Sequence, residues 1–153
     1  MPVFEASVDL ACSPETAFEF LAHPENIRLI TPSSVMLVFD AAPQRLSLGA
    51  RMEFRVQAYG VVRSAVHEVT AWNEPRSFVE RQVAGPLGSW EHAHLFQSIS
   101  NGVRVTDRIE FSPPGGMLGL LINERKIREA LDAGFGHRHH ELEKRFGIPA
   151  GTL

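Results

Sequence analysis

Two residues, Asn101-Gly102, constrain this chain more than any others. They stand between two long runs of alternating apolar and polar residues, Ser89 to Ser100 and Val103 to Ser112. Asn-Gly in that setting is the strongest short hairpin signal, because a type I′ turn needs φ > 0 at both central positions. With these two as the turn, Ser100 faces Val103. The same-face pairs then run back as Ser98 with Val105, Phe96 with Asp107, His94 with Ile109, and His92 with Phe111. The opposite face pairs Gln97 with Thr106, Leu95 with Arg108 and Ala93 with Glu110, which is mostly polar and suits water. The first face is therefore expected to be the interior, and it takes two imidazoles and a carboxylate inward.

The rest of the chain reads as elements around that hairpin. Pro2 to Leu10 alternates Phe4, Ala6, Val8 and Leu10 against Glu5, Ser7 and Asp9, the period of a half-buried strand. Ser13-Pro14-Glu15 is an N-cap, an N1 proline and a first-turn acid, followed by Ala17, Phe18 and Leu21 at helical spacing. A second short helix starts near Pro24 and ends by Thr31, since Pro32 disfavours the helical conformation before it. Strands are expected at Arg51 to Ala58, Val61 to Trp72 and Phe78 to Val83, with Asn73-Glu74-Pro75 as a turn. After Pro113-Pro114-Gly115-Gly116, the residues Ile127, Leu131, Phe135, Leu142 and Phe146 recur at helical spacing, with Arg138 on the same stripe and Gly147 and Pro149 as the stop. Gly134 and Gly136 weaken the middle of that helix and allow a bend. One strand, two short helices, about six more antiparallel strands and a long final helix make an α+β pattern, a curved sheet covered by the helix.

Composition narrows the classes of function. A chain of 153 residues is one domain's worth and buries about 68 to 70% of its unfolded surface, so residues 1–153 are expected to form one domain with a core of its own. The formal charge of -3 suits no protein that works by neutralising phosphates, so nucleic acid is not an expected partner. Cys12 is the only cysteine and cannot pair within the chain, the start lacks a signal-peptide pattern, and no apolar run approaches a membrane span. A cytoplasmic location is the expectation. Phosphate-loop, dinucleotide, metalloprotease-helix and serine-elbow motifs are missing.

The stretches Ser13 to Phe20, Asn26-Ile27 with Ile30-Thr31-Pro32, Trp72 to Pro75 with Phe78, Gly85-Pro86, Trp90 to Phe96, Asp107, and Phe135 to Arg138 resemble the START-domain and polyketide cyclase superfamily, also called SRPBCC or helix-grip proteins. They look like a branch of ligand-binding or cyclase/dehydrase-like members, and the resemblance covers nearly the whole chain. It implies the helix-grip fold, about seven antiparallel strands around a long C-terminal helix, and a ligand pocket between the two. Such a scaffold hosts carriers, sensors and enzymes, so activity must come from the site.

Asp107 is the most informative candidate, because an inward carboxylate between Val105 and Ile109 needs a partner. His94, diagonally across the hairpin, is the expected one. The pair is either a polar handle for a ligand, a purely structural pair, or an acid/base pair in which His94 takes a proton and Asp107 holds the imidazolium. Trp90, Phe96 and Phe135 are candidate pocket walls, although core packing serves each as well. Arg138 can meet an anionic group of a ligand or form a buried pair with Glu80 or Asp107. His92-x-His94 with His67 or Glu80 has a spacing that permits zinc, but no ligand-rich motif surrounds it, and neither metal nor other cofactor is expected. His137, His139 and His140 point in different directions around the helix and are expected at a solvated end. Cys12 reads as filler. The leading expectation is a protein that binds a small hydrophobic or aromatic molecule using His67, Trp90, His92, His94, Phe96, Asp107, Phe135 and Arg138. The alternative is a cyclase or dehydratase acting on a polyketide-like substrate through His94 and Asp107, and a third is a module that docks a protein.

Overall fold

The computed structural model describes residues 1–151. Strand β1 (Val3–Leu10) leads into helices α1 (Pro14–Leu21) and α2 (Pro24–Leu29), a 3-10 turn at Ser33–Val35, and strands β2 (Val38–Ala41), β3 (Arg51–Ala58), β4 (Val61–Asn73), β5 (Ser77–Ala84), β6 (Ser89–Ile99) and β7 (Gly102–Ser112). The four-residue helix α3 (Leu118–Leu121) precedes the long α4 (Glu124–Phe146). The strands form one sheet in the order β1-β7-β6-β5-β4-β3-β2, and every neighbouring pair is antiparallel. Register shifts between Val66/His67 and Val69/Ala71 interrupt the β4–β5 ladder; irregularities of this kind add local twist and bend a strand.

The helix ends follow from local chemistry. Ser13 caps α1, its Oγ accepting from the Thr16 N–H at 3.1 Å, with Pro14 at the first helical position as the sequence leads one to expect. Asn123 caps α4 in the same way, accepting from the Lys126 N–H at 3.0 Å. Gly147 ends α4 with φ 84°, and its carbonyl accepts from the Ala11 N–H at 2.9 Å, tying the helix to the end of β1.

The β6–β7 turn differs from the sequence reading. Ile99 pairs with Gly102, so Ser100 and Asn101 are the turn residues; Asn101 takes φ 65°, while Gly102 belongs to β7. Gly102 is needed for a different reason: a Cβ there would lie 2.0 Å from the Leu10 carbonyl oxygen on β1. Moving the turn back by one residue slides each cross-strand pair by two, so Phe96 faces Val105, His94 faces Asp107 and His92 faces Ile109. An even slide keeps every side chain on its expected face. His92, His94, Phe96, Asp107, Ile109 and Phe111 all point inward and are buried.

Two apolar clusters fill the interior. One gathers Leu10, Phe18, Leu21, Ile30, Phe78, Phe96, Val103, Val105 and Leu142, the other Phe4, Ile109, Phe111, Ile122, Ile127 and Phe135. Along β7, Asp107 falls between Val105 of the first and Ile109 of the second; along α4, His139 falls between Phe135 of the second and Leu142 of the first. A polar layer thus separates two hydrophobic ones.

Candidate functional site

Five elements build the polar layer. The β5–β6 register sets Glu80 opposite His92 and Phe78 opposite His94, and the β6–β7 register sets His94 opposite Asp107. His67 arrives from β4 and His139 from α4, and both are buried. The spacing Phe135, His139, Leu142, Phe146 continues the apolar stripe of α4, which places His139 in the interior and overturns its assignment to a solvated end; His137 and His140 are exposed. That i, i+4 step from Phe135 was the available signal for His139.

The layer consists of two carboxylates, each held by two imidazoles. His92 Nε2–H donates to Asp107 Oδ1 at 2.7 Å and His139 Nε2–H donates to Oδ2 at 2.9 Å. His67 Nδ1–H donates to Glu80 Oε1 at 3.0 Å and His94 Nε2–H donates to Oε2 at 3.3 Å. Burial pushes the Asp107 carboxyl up, but the hydrogen bonds from His139 and His92 and the nearby imidazoles together hold it below the usual range. Glu80 follows the same logic, with burial outweighed by His67 and His94. His92 is pushed down to about 4, first by burial and then by His94, against the attraction of Asp107 and Glu80. It is neutral near pH 7 and serves Asp107 as a hydrogen-bond donor rather than a counter-ion.

His94 is not the hydrogen-bonding partner of Asp107 that the sequence suggests. Its Nδ1 lies 3.5 Å from Asp107 Oδ1, is buried, and makes no hydrogen bond among the described residues. Its ring is packed between those of His92 and Phe78, with centroids 3.7 and 4.1 Å away. His92, His94 and Glu80 bring potential metal-ligating atoms within 4.8 Å of one another. The two imidazoles, however, are stacked at 23°, so their in-plane lone pairs run nearly parallel, and one ion at about 2.0 to 2.1 Å from both nitrogens would sit well out of the ring planes. Both Nε2 atoms also face carboxylates already.

A cavity of about 310 Å³ opens between α4 and the sheet, with His67, Glu80, His92 and His94 along its polar wall and residues such as Leu37, Phe54 and Leu131 on the apolar ones. Trp90, Phe135 and Arg138 also line it. Phe96 does not: it packs in the first apolar cluster, 5.1 Å from the Phe18 ring, and its candidacy as a pocket wall is corrected to core packing. Asp107 stands behind the wall and reaches the cavity only through His92 and His94. Arg138 forms neither of the ion pairs that Glu80 or Asp107 could have offered; its guanidinium lies over the Phe135 ring, 4.7 Å from the centroid. Burial raises the pKa of the Cys12 thiol, which fits a filler role better than a reactive one.

Solved structures share the architecture. A Thermus thermophilus protein aligns with TM-score 0.73 at 15% identity, covering 94% of this chain and 99% of its own. A Chromobacterium violaceum protein aligns with TM-score 0.73 at 11% identity over 96% and 99%. A major latex-like protein of Panax ginseng aligns with TM-score 0.65 at 14% identity over 92% and 96%. At these identities the likeness is one of fold. No curated protein matches the chain. The family model described as polyketide cyclase / dehydrase and lipid transport matches residues 1–145, nearly the whole length. With the seven-stranded sheet gripping α4, that match shows that the chain belongs to this family, within the SRPBCC superfamily of helix-grip proteins.

Proposed function

We propose that this protein binds a small, largely apolar molecule in the cavity between the sheet and α4, as a carrier or a sensor, its polar end oriented by the few polar side chains that line the cavity. The observation that carries the reading is the distribution of polarity. The cavity has the size of a small ligand pocket, its walls are mostly apolar, and its polar side chains cluster mainly on the wall backed by Asp107. A site of that kind favours an apolar body and fixes its orientation through few groups.

Turnover by His94 and Asp107 has less support. Both nitrogens of His94 are directed at carboxylates, 3.3 Å from Glu80 and 3.5 Å from Asp107, which leaves neither to take a proton from a substrate.

The test uses native mass spectrometry of the full chain purified from the expressing cells, beside a Gly134→Trp variant. Gly134 lines the cavity and a Cβ there meets nothing within 4 Å, so the indole fills the space. An apolar adduct on the wild type that is missing from a folded Gly134→Trp is the expected result. If the wild type stays empty and no cell extract raises its melting temperature, the reading fails.

A further inference from the structure

An account of every polar group on the cavity wall indicates what the ligand must bring. Thr31 donates its hydroxyl to the Ile27 carbonyl at 2.7 Å. Gln82 is satisfied by the Leu87 backbone, donating to its carbonyl at 2.9 Å and accepting from its N–H at 3.4 Å. Both Glu80 oxygens accept from imidazoles. Two lining side chains make no hydrogen bond at all among the described residues, and both are donors; the remaining unpartnered atom, His94 Nδ1, faces Asp107 Oδ1 at 3.5 Å. The Trp90 indole N–H is buried without an acceptor, and the Arg138 guanidinium has the Phe135 ring as its contact. Among the described residues, Arg138 is the only lysine or arginine on the wall, and no carboxylate forms an ion pair with it. Burial lowers its pKa, and the more distant Asp107 and Glu80 offset this only in part.

Donors left open in an apolar cavity are costly unless something completes them. A guanidinium fixed over an aromatic face presents a planar fork that matches a carboxylate. We infer that the bound molecule is an apolar acid, and that its carboxylate or equivalent oxyanion is received by Arg138 on the α4 side of the cavity, with its hydrocarbon body against the apolar walls. The inference rests on the binding function proposed above, and narrows it from any apolar molecule to an anionic one.

The probes are 2-naphthaleneacetate and 2-naphthaleneethanol, which share a body and differ in charge, titrated at pH 7.5 into the full chain and followed by tryptophan fluorescence and calorimetry. The wild type should bind the acid at least about tenfold more tightly than the alcohol, the effect expected of a charge-assisted contact. Arg138→Met should remove that preference and leave the affinity for the alcohol within about twofold. Equal affinities in the wild type overturn the inference and leave the cavity reading intact. A preference that survives in Arg138→Met also overturns it. If neither probe binds, both readings fall. Should Arg138→Met not fold, Arg138→Lys, which keeps the charge and loses the fork, is expected to retain only part of the wild-type preference; full retention counts against the inference.

Discussion

At the scale of single residues, the buried acids and imidazoles make stability depend on pH in a defined direction. His92 has a pKa of about 4 in the folded chain against 6.5 for the free side chain. Between these values the unfolded chain takes up a proton that the folded one refuses, so stability is full above about pH 6.5 and falls toward pH 4, by up to roughly 3 kcal/mol. Asp107 and Glu80 are held below the ordinary carboxylate range, so their contribution is present above about pH 4 and is lost below it. Urea unfolding across pH 4 to 8 should show the midpoint declining from pH 6.5 downward, and His92→Phe should flatten the decline between 6.5 and 4. A midpoint level from pH 7 to 4.5 refutes the assignment. Asp107→Asn puts an amide N–H against an imidazole N–H and should cost about 3 kcal/mol, the scale of breaking a buried ionic network. Period-2 alternation was enough to turn Asp107 inward, since it needs only the parity of β7. The hydrogen-bonding partners were not legible, because choosing His92 and His139 over His94 depends on ring orientations that strand parity leaves free.

At the scale of elements, the β6–β7 turn and helix α4 carry the sharpest expectations. If Gly102 occupied the turn with positive φ, asparagine there would be tolerated. In its actual place beside the Leu10 carbonyl, even Gly102→Ala should destabilise by about 1 to 3 kcal/mol or more, the cost of forcing extra atoms into a packed site. Chemical denaturation of Gly102→Asn distinguishes the two registers, since asparagine is tolerated at a positive-φ turn position and clashes beside the Leu10 carbonyl. In α4, Gly136 is exposed and a Cβ would meet nothing within 4 Å, so Gly136→Ala should stabilise by about 0.5 to 1 kcal/mol without touching the cavity. A loss of stability there would mean that the helix needs the glycine's freedom. Helix and strand positions were readable because capping, prolines and alternation act within a few residues. The turn was misplaced by one residue because Asn-Gly constrains local φ, while the close approach of β1, some ninety residues away in sequence, decides where the glycine must lie.

At the scale of the whole molecule, cavity and stability are linked by mass action. An apolar acid present at about a hundred times its dissociation constant should add about 2.7 kcal/mol, which for a chain of this size raises the melting temperature by roughly 5 to 11 °C. Gly134→Trp should lose the shift while remaining folded, and a shift that persists in this variant would place the ligand elsewhere. The amino-acid sequence alone determined the order of elements, the family resemblance, the inward face of the β6–β7 hairpin and thus the burial of His92, His94 and Asp107. All of these follow from periodicities and caps that act within a strand or a helical turn. Tertiary structure alone decided that Glu80 and His139 join the layer, that Phe96 leaves the cavity for the core, and that Arg138 forms no ion pair among the described residues. Those outcomes depend on how β4, β5 and α4 close over the hairpin, where the geometry of side chains distant in sequence determines which donors find acceptors.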